Sequence, residues 1–166
     1  MNKFIFLSKN NFITSQSEVN IFMNDETNEL LSGIYKLSKT GIEAVETVLP
    51  KVEHEALKEE LTEQYGDYCK AASDTEQALL QNGVVPKDIG LLQKTGMWSS
   101  IQLHTINDTS SDHIAEIMIT GTTKGIIDLT KHIGACPNAD KKTIDYANGF
   151  ISKEQKHIDN LKVFLC

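Results

Sequence analysis

The chain has 166 residues, 40% hydrophobic and 23% charged, the profile of one globular domain able to bury a core without disulfide or metal staples. Its net charge of −7, from 23 acidic and 16 scattered basic residues, disfavours a phosphate backbone as partner, so no nucleic acid is expected. No apolar run reaches the roughly 18 residues of a membrane span, and the three cysteines, Cys69, Cys136 and Cys166, are odd in number and widely spaced; reduced thiols in a cytoplasm and no membrane association are expected.

Residues 1–24 carry no helical periodicity, and the apolar run Phe4-Ile5-Phe6-Leu7 is too short for a signal-peptide core. They are expected to form an arm outside the fold, with Met23 an alternative start, and 25–166 to form the folded unit. Asn24-Asp25 is a helix N-cap pair. A first helix is predicted over 25–49, with Leu30, Ile34, Leu37, Gly41, Val45 and Val48 on one stripe, closed by Pro50. A second is predicted over 52–81, with the stripe Leu57, Leu61, Gln64, Tyr68, Ala72, Thr75 and Leu79, stopped by Asn82-Gly83. The connection at Pro50 is too short for anything but an antiparallel pair.

A third helix is predicted from Ser110-Ser111-Asp112 to Ile133, with the stripe Ala115, Met118, Thr122, Ile126, Leu129 and Ile133. Gly134 and Pro137 end it. A fourth is predicted from 138–140 to the C-terminus, with Ile144, Ala147, Ile151, Glu154, Ile158, Leu161 and Leu165 facing inward. Between the two hairpins, residues 83–109 are too many for a tight turn and enough for a crossover. Ile89, Leu92, Trp98, Ile101, Leu103 and Ile106 are its expected apolar anchors, Trp98 above all. The predicted fold is all-α: an antiparallel four-helix bundle.

The crossover LLQKTGMWSSIQ and the segment SDHIAEIMITGTTKGIIDLTKHI give the chain a specific likeness. Over about residues 28–165 it resembles the small ferritin-like four-helix-bundle proteins of unknown function found in bacteria. The resemblance implies a ferritin-like bundle with a long crossover between helices 2 and 3, and no activity.

Ferritin-like bundles often hold two iron or manganese ions, using one Glu from each of two helices and Glu-x-x-His from the other two. Here Glu154 and His157 form one forward Glu-x-x-His, while His113 and Glu116 stand in reverse order. Glu43 and Glu46 on helix 1, and Glu60 and Glu63 on helix 2, supply carboxylates. At 100° per residue Glu43, His113 and Glu116 point away from their stripes and Glu46 lies at the edge of its own, so no complete site is expected. If one exists, Glu154, His157 and Glu60 are its candidates. His157 alone reads as a boundary residue, Cys69 as a partly buried hydrophobe, and Gly121 with Gly125 as a place of close helix approach.

Glu154 is the one acid squarely within an apolar stripe and needs partners or a proton. In the antiparallel ferritin-like arrangement that the resemblance implies, Gln64 lies at its height, with Tyr68, Thr122 and Ser38 near that level. A polar core layer of Glu154, Gln64, Tyr68 and Thr122 is therefore expected, fixing helix register. No catalytic residue is identified. The expected function is that of a non-enzymatic structural or interaction module without cofactor. A homodimer through faces around Tyr35, Ile42 and Ile117 is a possible assembly. The alternative is a di-iron or di-manganese protein for redox chemistry or metal storage.

Overall fold

Periodic apolar stripes become four α-helices in the computed structural model, which describes the backbone of residues 4–87 and 108–165 and the side chains of 25–87 and 108–165. The helices are α1 (Phe4–Val48), α2 (Glu55–Gln81), α3 (Ser111–Ala135) and α4 (Lys141–Leu161), with short 3-10 turns at Leu49–Lys51 and Lys162–Phe164. No strand occurs among the described residues, and none of their helices is long and apolar enough to cross a membrane. Trp98 and the other expected crossover anchors lie outside the described residues, as does Cys166.

Helix α1 starts well before its expected cap. It runs without a break through Asn24-Asp25 back to Phe4, so its 45 residues span about 67 Å. Good capping residues do not stop a helix whose neighbours continue it. At the other end, Pro50 turns the chain within the 3-10 turn. Helix α2 then begins three residues later than expected, with His54 Nδ1 accepting from the Leu57 N–H at the N-cap. Its C-terminus matches the Asn82-Gly83 stop. Gly83 adopts φ +76°, its N–H reaches the Leu80 carbonyl, and the Val84 N–H reaches Leu79. Val84 also packs beside Leu79, completing a Schellman ending.

The Ser110 hydroxyl bonds Asp108 (2.5 Å) instead of capping α3. Asp140 does cap α4: its Oδ1 accepts from the Thr143 N–H at 2.8 Å. The α3–α4 turn is anchored on α1, where the Glu26 carboxylate takes the Asn138 N–H (2.6 Å) and Thr27 Oγ1 takes the Asp140 N–H (2.8 Å). Cys136, within that turn, is fully enclosed.

Contacts within two helix pairs run with opposite sense in residue number. Tyr65 Oη donates to Glu46 (3.0 Å), whereas Asn82 Nδ2 donates to Asn28 (2.7 Å) at the far end of the same pair. On α2 and α4 the corresponding contacts are Tyr146 to Asp74 (3.1 Å) and Asn160 to Glu60 (2.9 Å). The main core gathers Leu30, Ile34, Val45, Leu57, Leu61 and Leu161 among others, and a smaller cluster of Leu31, Tyr35, Ala72 and Leu79 seals α1 against α2. Tyr35 is thus buried within this cluster, and Ile42 packs half-buried against it.

The α2 stripe is buried at every expected position. On α3, Ile114 and Gly125 are buried in addition, while Ile126 and Ile133 are only half-buried. Gly125 is covered by Leu37, but its expected partner Gly121 faces outward with nothing near it. The inner arc of α4 is Thr143, Ala147, Phe150, Glu154, His157, Ile158 and Leu161, so Ile144 and Ile151 move to the flank and Leu165 is exposed.

Candidate functional site

The polar residues of α2, α3 and α4 meet at mid-height. Gln64 is one stripe position from Tyr68, and its Nε2 donates both to Tyr68 Oη and to Thr122 Oγ1 of α3, each at 3.1 Å. Tyr68 Oη in turn donates to Glu154 Oε2 of α4 at 2.5 Å. All four side chains are buried, with Gln64 at 0% and Glu154 at 2% exposure. The four expected layer residues are therefore in one hydrogen-bonded chain. Ser38 is buried as well, but its hydroxyl donates to the Ile34 carbonyl of its own helix and takes no part.

Helix α1 makes room for this layer at Gly41. A Cβ there would stand 2.5 Å from the Tyr68 ring, so the ring occupies the space that glycine leaves open. Phe150 holds the ring from α4, with centroids 6.2 Å apart.

Two oxygens in the layer, Gln64 Oε1 and Glu154 Oε1, are buried without a partner among the described residues. The environment is costly for a carboxylate. Burial pushes Glu154 up to about 7, against the downward pull of the Tyr68 hydroxyl and the His157 charge. Tyr68 is raised well above its usual range by burial and by the adjacent Glu154.

One turn along α4, His157 is 2% exposed, not the boundary residue expected from sequence. Nδ1 lies 2.7 Å from Glu60 Oε1, and Nε2 lies 3.2 Å from Asp67 Oδ2. Both ring nitrogens can donate only when both carry protons. Asn160 adds a bond to Glu60, and Lys153 pairs with Asp67 at 2.5 Å. Partial burial raises the Asp67 pKa, but bonds from Lys153 and His157 outweigh that and hold it below the usual carboxylate range. Asp67 was not a sequence candidate. Nothing in its own spacing marks it; its place beside α4 emerges only from helix pairing.

These groups do not fit the iron or manganese pair that the resemblance implies. Glu154 Oε2 is occupied by the Tyr68 hydroxyl, and both His157 nitrogens face carboxylates instead of converging with them on a shared point. Glu60 divides its oxygens between His157 and Asn160. Among the described residues, no group of three or more His, Cys, Asp or Glu is placed to hold a metal ion. The remaining acids are dispersed. Exposed Glu46 accepts from Tyr65, Glu63 pairs loosely with Lys156 at 3.7 Å, and exposed Glu116 stands 3.8 Å from His113.

A shallow groove of about 360 Å³ opens beside this cluster, lined by Ala56, Glu59, Glu60, Glu63, Asn160, Val163 and Phe164. Its lining of three carboxylates, one amide and three apolar side chains brings no nucleophile and base together. No family model matches the chain significantly, and neither does any curated protein or solved structure.

Proposed function

We propose that this chain is a non-enzymatic structural or interaction module, an antiparallel four-helix bundle of the ferritin-like kind whose polar mid-core sets the pairing of its helices. The observation that carries this reading is the mutual engagement of the buried polar groups. Gln64, Tyr68, Thr122 and Glu154 bond one another across three helices and present no open set of groups to a substrate. Such a layer penalises any slip of one helix past another, because a slip of one turn would strand buried polar atoms at about 1–3 kcal/mol each. Opposed contact sense between α1 and α2, and between α2 and α4, supports the antiparallel arrangement. Free Cys69 and Cys136 fit a reducing cytoplasm.

Two experiments test the reading. Metal analysis of protein purified without oxygen should find no stoichiometric iron or manganese; two ions per chain would overturn it in favour of a metalloprotein. Replacing the layer by Gln64→Leu, Tyr68→Phe and Glu154→Leu together should retain helix content but yield several conformers or a changed oligomeric state. A single, unchanged species would remove the register role.

A further inference from the structure

The unpartnered pair of oxygens has a simple chemical resolution. Amide and carboxylate oxygens are both acceptors, so Gln64 Oε1 and Glu154 Oε1 cannot satisfy each other while Glu154 is ionised. One proton changes that, since a neutral carboxyl group is a donor at one oxygen and an acceptor at the other. The known bonds already fix which oxygen must donate, because Oε2 is the acceptor of the Tyr68 hydroxyl.

We propose that the core binds a single proton on Glu154 Oε1, which donates to Gln64 Oε1 and closes a ring of three hydrogen bonds through Gln64, Tyr68 and Glu154. Around the ring, Gln64 Nε2 donates to Tyr68 Oη, Tyr68 Oη donates to Glu154 Oε2, and Glu154 Oε1 donates back to the Gln64 carbonyl. The second hydrogen of Gln64 Nε2 goes to Thr122 Oγ1, so both amide hydrogens are engaged and the amide oxygen is the group left to accept. The proton comes from solvent on folding and returns to it when the ring opens, with no other bond made or broken.

The charged surroundings are balanced in a way that suits a neutral group. On α4 itself Glu154 feels His157 and Lys153, and from α2 it feels Asp67 and Tyr68. Asp67 is paired with both Lys153 and the His157 ring, which weakens their pull on Glu154. Among the described residues, α3 gives the layer the uncharged Thr122 and α1 gives it the space at Gly41. Among the described residues, no basic side chain hydrogen-bonds Glu154 directly. The bundle is therefore a proton-closed device that loosens at its centre as pH rises through neutrality.

This goes beyond the register role, and its readout is separate from any metal count. Carboxyl carbon NMR of the wild-type protein labelled at glutamate, with Glu154 assigned through Glu154→Gln, reads the protonation state directly. At about pH 6, below the raised value of about 7, the Glu154 carboxyl carbon should carry the shift of a neutral acid while other glutamates are ionised. Glu154→Gln should mimic the closed ring, since its amide nitrogen can donate to Gln64 and its oxygen accept from Tyr68. At about pH 8 it should raise the ratio of folded to unfolded protein roughly a hundred-fold over wild type, and lose the wild-type fall in stability between about pH 4.5 and 7. Should Glu154→Gln not fold, Tyr68→Phe serves for assignment: removing a donor to the charged form should move the Glu154 midpoint upward. An ionised Glu154 carboxyl at about pH 6 would overturn the proposal, as would a water molecule or cation found bridging the two Oε1 atoms.

Discussion

Gly41→Ala places the sharpest demand on the packing. At an exposed helical site the same change helps by about 0.5–1 kcal/mol, because alanine loses less backbone freedom on folding. At Gly41 the new methyl would stand 2.5 Å from Tyr68 Cε2 and Cζ and 2.6 Å from Cδ2, where carbon atoms need roughly 3.5–4.0 Å. Tyr68 cannot swing aside, because it is 3% exposed, tied to Gln64 and Glu154, and backed by Phe150. Overpacking costs about 1–3 kcal/mol, and a lost buried hydrogen bond about 1–3 more. After the propensity gain, the net expected loss is about 3 kcal/mol. Gly66, Gly121 and Gly149 provide the control, since a methyl at any of them meets nothing within 4 Å. Urea denaturation of the four alanine variants should give one large loss and three small gains. A double-mutant cycle with Tyr68→Leu should show a coupling above about 1 kcal/mol, because the smaller side chain vacates the space. A Gly41→Ala protein as stable as Gly66→Ala, or a cycle without coupling, would refute the assigned packing of α1 on the layer.

Other substitutions probe separate parts of the fold. His157→Ala should cost about 3 kcal/mol in denaturant titration, because it leaves Glu60 and Asp67 facing a buried gap without their shared partner. Asp140→Ala should cost about 1 kcal/mol by removing the α4 N-cap. Burial raises the Asp140 pKa, but the Thr143 N–H and hydroxyl outweigh it and lower the carboxyl overall. The wild-type advantage should thus be complete above the ordinary aspartate range and vanish as pH falls through the lowered value; an advantage persisting in strong acid would contradict the cap. Gly83→Ala should lose about 1 kcal/mol although its methyl would meet no neighbour, since only the φ of +76° opposes it.

How far the sequence carried this arrangement differs from helix to helix. On α2, apolar and small residues recur cleanly between Pro50 and Asn82-Gly83, so the inner face is legible position by position. The short connections set helix heights within each hairpin, and the arrangement implied by the resemblance relates the two hairpins, so Gln64, Tyr68, Thr122 and Glu154 can be placed at one level from the sequence. On α4 the phase is partly misleading. Ile144 and Ile151 draw a reader by hydrophobicity, yet the buried line steps by four and three through Thr143, Ala147, Phe150, Glu154, His157 and Leu161. Polar residues at half of those positions hide the spacing, and Phe150 and His157 are missed with it. Asp67 illustrates a different limit: a lone acid on a helix flank reads as solvated until the partner helix brings His157 and Lys153 to it. The start of α1 shows a third, since a strong cap pair at Asn24-Asp25 has no effect when the preceding backbone is already helical.

The enclosed thiol in the turn between α3 and α4 makes the protein its own timepiece. Cys136 is 0% exposed, and burial together with Glu29 and Glu26 raises its pKa, so the reactive thiolate is suppressed twice over. A thiol reagent can reach it only when the turn lifts from Glu26 and Thr27 of α1. The labelling rate of Cys136 therefore counts these openings, while the half-buried Cys69 on α2 reacts on its own schedule and calibrates the reagent. Weakening the Glu26 or Thr27 contact should quicken the first clock and leave the second running at its old pace.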